Sequence, residues 1–126
     1  MPVITAIRTA SHPECRYDRL VLDISGPTPG YSVRFVTQVV QDGSGKTLTL
    51  PGTRYLVIRL NPAQGHTDSG TPTVPGGVQA LSFPQLKAYE VAGDFEGVLT
   101  IALGLNGPAR YRVGELPGKL YLDLAW

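Results

Sequence analysis

Between Val98 and Leu105 the chain alternates strictly. Leu99, Ile101, Leu103 and Leu105 point one way, and Thr100, Ala102 and Gly104 the other. A period of two marks a strand with one buried face, and the apolar spacings of three and four that a helix needs are missing. The approach to this run, Ala92-Gly93-Asp94-Phe95-Glu96-Gly97, reads as a tight polar turn bracketed by two glycines, with Phe95 packed over the sheet edge. A chain built around such a hairpin belongs to a β-fold.

The same period recurs along the rest of the sequence. Val3 to Thr9 is a first strand, ended by the polar segment Ala10 to Glu14. Leu20, Leu22 and Ile24 share a face with Asp18, while Tyr17, Arg19, Val21 and Asp23 share the other. Tyr31, Val33 and Phe35 form the inward face of a third strand. Asp42-Gly43-Ser44-Gly45 then supplies the backbone twist of a hairpin, with a return strand from Thr47 to Leu50. Leu56, Ile58 and Leu60 mark another strand, and Leu86 to Ala92 the one before the opening run. Arg110 to Val113, with Tyr111 and Val113 inward, and the closing Leu120, Leu122 and Leu124 complete the set.

The chain carries 15 Gly and 11 Pro, which short strands joined by turns accommodate and long helices do not. The expectation is one all-β domain over residues 1–126. Its about eight or nine antiparallel strands would form a sandwich or barrel. Asn61 to Gly77, rich in Pro and Gly, lacks regular structure over most of its length. A loop this long within one domain is usually functional or mobile.

Several functional classes are disfavoured. Eleven basic against ten acidic residues leave a net charge of +1, without the basic excess of a phosphate-reading protein, so no nucleic acid is expected as partner. No apolar run reaches membrane-span length, so no membrane insertion of this domain is expected, and no signal peptide is read at the N-terminus. The lone Cys15 makes no internal disulfide. Gly45-Lys46-Thr47 is not a phosphate loop, because Val40 stands where its first glycine belongs and a strand follows instead of a helix. Gly43-Ser44-Gly45 is too short for a nucleophile elbow, and neither His12 nor His66 stands in a catalytic context. The chain is therefore read as no enzyme, with no cofactor and no metal.

What remains are binding candidates. His66 and Asp68 stand two apart in the long loop, where they brace the backbone, meet an organic ligand or, with His12, Asp18 or Glu14, hold a metal, bracing being the favoured reading and metal the least. Asp94 and Glu96 would be paired carboxylates on one turn, most simply solvated. Asp18 faces the core and needs an arginine or several backbone N–H groups as partners. Arg19, Arg34, Arg59, Arg110 and Arg112 fall at outward strand positions, with Tyr17, Tyr55 and Tyr121. An ordinary solvated face is the favoured reading, though guanidinium forks beside aromatic faces also suit acidic sugars, carboxylated peptides or a partner protein.

Three segments together resemble the AMIN-like domain of actinobacterial exported proteins and lipoproteins. They are His12 to Asp23 continuing to Pro29-Gly30-Tyr31-Ser32-Val33; Leu60-Asn61-Pro62-Ala63-Gln64-Gly65-His66-Thr67-Asp68-Ser69-Gly70; and Ala92 to Gly97 with Gly104-Leu105 and the closing Lys119 to Asp123. The resemblance covers nearly the whole chain. It implies a β-sandwich of the cell envelope, outside the cytoplasm, and a non-enzymatic module that binds peptidoglycan, another wall glycan or an envelope protein. Tyr17, Asp18, Arg19, Arg34, His66, Asp68, Asp94 and Glu96 are then the candidate binding residues. The alternative is a protein-interaction module, a homodimer included, that pairs through an exposed strand edge.

Overall fold

The structure, a computed structural model, describes residues 1–107 and 110–126. Eleven strands are seen among them: β1 (Val3–His12), β2 (Tyr17–Ser25), β3 (Gly30–Val36), β4 (Val39–Val40), β5 (Thr47–Leu48), β6 (Arg54–Asn61), β7 (Gln79–Ala80), β8 (Leu86–Phe95), β9 (Val98–Leu105), β10 (Arg110–Leu116) and β11 (Lys119–Ala125). β5 is the expected return strand, shortened to Thr47–Leu48, and the excess over nine lies in β4 and β7, two residues each and too short to leave a periodic trace. A four-stranded sheet, β1-β2-β11-β10, faces a five-stranded one, β3-β6-β9-β8-β7, and every neighbouring pair is antiparallel. The all-β sandwich expected from the sequence is the fold observed.

The alternation of β2, β11 and β6 places Leu20, Leu22, Leu120, Leu122, Leu124, Leu56, Ile58 and Leu60 in the core between the sheets, where Leu99, Ile101, Leu103 and Leu105 of β9 meet them. One expectation fails on β9. Its other face is buried too, because the β4–β5 hairpin folds over the outside of the five-stranded sheet. Val39 and Leu50 close a second apolar layer there with Val57, Ala88, Ala92 and Ala102. The small residues on this face of β9 leave room for that cover: the Pro51 backbone crosses directly over Gly104, and Thr100 meets the Asp42 side chain.

Other boundaries move for identifiable reasons. β1 continues to His12 because Ala10, Ser11 and His12 pair with Arg19, Asp18 and Tyr17, and a single 3-10 turn at Pro13–Cys15 makes the break. β8 runs through Gly93 and Asp94 to Phe95, so the connection to β9 is only Glu96-Gly97, both with positive φ (51° and 77°), as a two-residue hairpin requires. Asp94 and Glu96 therefore do not share a turn, and Phe95 is 68% exposed instead of covering an edge. Tyr31 points along the inner face of β3 but stays exposed, since β3 is an edge strand, and its hydroxyl donates to Glu115 of β10. The long loop is tied down: Ile4 N–H donates to the Gln64 carbonyl, Gln64 N–H to Pro2, Ala63 N–H to Gly97, and the Thr73 hydroxyl to Ile4.

In the second layer, Glu90 stands on β8 opposite Ala102, and its Oε2 is buried without a hydrogen-bond partner among the described residues. Burial pushes this carboxyl above the usual range. A raised folded value means that the fold holds the proton more tightly than the unfolded chain. Stability is then fullest in acid and declines as pH rises from the unfolded value through the folded one. Glu90→Gln removes that decline. Its melting temperature should exceed the parent's by about 1–3 °C at neutral pH and match it near pH 3. Thermal unfolding of both proteins across this pH range reads the difference directly.

Candidate functional site

The outward face of the four-stranded sheet gathers most of the arginine and tyrosine side chains that the sequence points outward. Antiparallel register sets them in rows: His12, Tyr17, Ala125 and Arg110 lie side by side, then Ala10, Arg19, Asp123 and Arg112, then Arg8, Val21, Tyr121 and Gly114. Arg19 is the hub. Its Nε and Nη2 donate to the two oxygens of Asp123 at 2.6 and 2.9 Å, and this bidentate contact holds the guanidinium more firmly in its charged form. Its Cζ also lies 4.3 Å from the Tyr121 ring centroid and 5.5 Å from that of Tyr17. The His12 ring stacks on Tyr17 at 4.8 Å. The result is a ridge of three aromatic rings and one guanidinium, locked in place before any ligand arrives.

Tyr121 can lean over β10 because position 114 has no side chain. A Cβ on Gly114 would overlap the phenol ring. Beside the ridge runs a shallow groove of about 400 Å³ lined by Tyr17, Arg19, Arg110, Arg112 and Asp123. Arg110 and Arg112 are exposed and make no side-chain hydrogen bond or ion pair among the described residues. Asp123 could have served Arg112, its register partner, but is occupied by Arg19. At the far end, Arg8 and Lys119 share Asp23, whose carboxyl lies below its usual range chiefly through the Arg8 hydrogen bonds. Two unneutralised guanidiniums beside rigid aromatic faces make this an anion-attracting surface on a chain of net charge +1.

The other sequence candidates lie elsewhere. Asp18 is fully buried, and its carboxylate accepts from Ser11 Oγ and from the backbone N–H groups of Gln85 and Leu86. It met the expected backbone partners and ties one sheet to the other. Arg34 sits on the five-stranded sheet with Arg59, away from Arg19. His66 and Asp94 come together: Nδ1 lies 2.8 Å from Asp94 Oδ2, and the same carboxylate accepts the Gly65 N–H. Asp68 accepts from Gln64 Nε2, which also donates to the His66 carbonyl. These contacts brace the loop. Glu96 is exposed at its hairpin turn.

Tyr121, Arg110 and Arg112 complete the surface that Tyr17 and Arg19 begin. Their outward positions were legible, but their meeting depends on β11 lying between β2 and β10, a strand order that periodicity does not encode. No group of three or more His, Cys, Asp or Glu residues suited to a metal ion occurs among the described residues.

A family model described as the AMIN-like domain matches residues 2–126. A comparison with curated proteins finds no match.

Proposed function

The chain belongs to the AMIN-like domain family, whose members are cell-wall-related binding modules of exported envelope proteins, and from that premise we propose that it recognises peptidoglycan or another wall glycan through the outward face of the four-stranded sheet. The observation that supports this reading is the pairing of a locked Tyr17–Arg19–Tyr121 ridge with Arg110 and Arg112 beside it, which have no partner among the described residues. Aromatic faces stack on the C–H faces of sugar rings, while guanidinium forks take the carboxylates that wall glycans and their peptides carry. Because the ridge is already ordered by Asp123, binding would lose little side-chain entropy there. No reacting step is needed, and the module works as a non-catalytic anchor. Among the described residues no helix is long and apolar enough to cross a membrane.

The test is co-sedimentation with insoluble peptidoglycan. The parent protein should bind saturably, and the Arg110→Ala/Arg112→Ala double variant should bind about tenfold more weakly, the loss expected for charge-assisted contacts. Both side chains are exposed, so the variant should keep the parent's melting temperature. Gly114→Ala provides an independent check, since its methyl group displaces the Tyr121 ring without touching a charge. Binding no greater than that of an unrelated β-domain would overturn the reading.

A further inference from the structure

On the opposite side of the molecule, the β4–β5 hairpin and the outer face of β3 and β6 enclose a cleft of about 190 Å³. Arg34 pairs with Val57 across β3 and β6, and Ser32 with Arg59, so Arg34 and Arg59 are diagonal neighbours on one face, about 7 Å apart. Neither guanidinium donates a hydrogen bond among the described residues. Among the described residues their single charged contact is Arg59 Nη2 to Asp42 Oδ2 at 3.6 Å, beyond hydrogen-bond length. Arg8 and Arg19, by contrast, each grip an aspartate with two bonds. Two adjacent forks with open donors form a pincer for a carboxylate.

The opposite wall of the cleft is fixed. Asp42 donates its N–H to the Ala92 carbonyl and accepts the Thr100 hydroxyl on Oδ2 at 2.5 Å. Its carboxylate fills the space left by Gly93, where a Cβ would overlap it. Oδ1 has no hydrogen-bond partner among the described residues, so it can accept from an N–H group. Val36, Val40, Val57 and Ala92 supply an apolar lining between the arginines and Asp42. The volume is below that of a drug-sized pocket and suits one small residue.

We propose that this cleft binds the free carboxyl end of a peptide whose last side chain is methyl-sized. The carboxylate lies between Arg34 and Arg59, the terminal amide N–H reaches Asp42 Oδ1, and the methyl group rests on the valines. An extended internal segment has no carboxylate for the pincer, and a larger terminal side chain does not fit beneath the hairpin. The site is separate from the glycan-facing ridge, and either can exist without the other.

The probes are N-acetyl-alanyl-alanine of L and of D configuration, each with a free or an amidated C-terminus, titrated into the isotopically labelled protein while amide NMR signals are followed. Free-acid peptide should shift the amides of residues 34–42 and 57–59 saturably, with a dissociation constant below about 1 mM. The amidated peptide, Arg34→Ala and Arg59→Ala should each weaken binding at least about tenfold, with Arg34→Lys between, since an ammonium keeps the charge but not the fork. Preference for the D peptide would identify a wall stem peptide as the source, and preference for the L peptide a protein C-terminus. No shift at about 5 mM peptide, or equal binding of the amide, would overturn the proposal. The Arg110→Ala/Arg112→Ala variant leaves the cleft untouched and should bind the free-acid peptide as the parent does, so the two readings fail independently.

Discussion

Replacing Asp18 with alanine should cost this fold about 3–5 kcal/mol, the combined penalty of leaving two buried backbone N–H groups and a hydroxyl without their acceptor. The carboxylate is fully buried at the start of β2. Ser11 Oγ donates to Oδ1 at 2.6 Å, and Gln85 N–H and Leu86 N–H both donate to Oδ2 at 2.8 Å. Leu86 opens β8 and Gln85 precedes it, so one side chain from the four-stranded sheet satisfies the strand start of the five-stranded sheet. No water can replace it without entering the core beside Leu86 and Leu124, both wholly inaccessible. Asp18→Asn is the discriminating control. Its amide oxygen can take the place of Oδ2 and keep both backbone bonds, while its NH₂ donates to Ser11 Oγ, which can also accept. Only the charge assistance is lost, about 1 kcal/mol. Urea unfolding should show the midpoint falling steeply for alanine and slightly for asparagine, with the slope unchanged in both. Equal losses in the two variants would mean that charge, not hydrogen-bond acceptance, is what the site requires.

Asp18 was readable because a carboxylate in phase with Leu20, Leu22 and Ile24 must face the core, and a buried charge must find donors. The leucine strands were readable for the same reason: one buried face imposes a period of two. The second buried layer was hidden by its composition. Thr100, Ala102 and Gly104 look solvent-facing on a hydropathy count, yet Val39 and Leu50 cover this side of the sheet. The chain signals such cover by small size, at Ala88, Ala92, Ala102 and Gly104 together, and not by apolarity. Asp94 was hidden by geometry. A register irregularity between Val91 and Gly93 interrupts strict alternation, so counting from either end misplaces the carboxylate that meets His66. The candidate binding face was half legible, because alternation assigns each arginine to a face but strand order decides which arginines become neighbours.

The close crossing at Gly104 carries the other large effect: Gly104→Ala should destabilise the protein by about 3 kcal/mol, near the upper end of what overpacking costs. A Cβ there would overlap the Pro51 carbonyl oxygen and come 3.1 Å from the Pro51 carbonyl carbon. The obstacle is backbone, which cannot rotate aside as a side chain would. It is also held from both ends. The Tyr55 hydroxyl lies 3.2 and 3.1 Å from the Leu50 and Gly52 carbonyl oxygens, and Thr53 N–H donates to the Leu105 carbonyl at 2.8 Å. Gly52 itself adopts φ 132°, and Leu105 and Gly104 backbone atoms lie within 2.9 Å of where its Cβ would stand, so the segment has little room to retreat. Relief must come from lifting Leu50 and the hairpin off Val57 and Ala102, which exposes the second apolar layer. Gly76→Ala is the counterpart. No atom lies within 4 Å of its would-be Cβ and its φ is not positive, so alanine there should be neutral or stabilise by up to about 1 kcal/mol through the unfolded chain. Measured side by side, the two substitutions separate a glycine required by contact from one that is merely in a loop. Because Val39, Asp42 and the cleft all depend on the seating of the hairpin, Gly104→Ala should also abolish peptide binding at Arg34 and Arg59. The Tyr17–Arg19–Tyr121 ridge on the far sheet should keep its stacking wherever the variant remains folded.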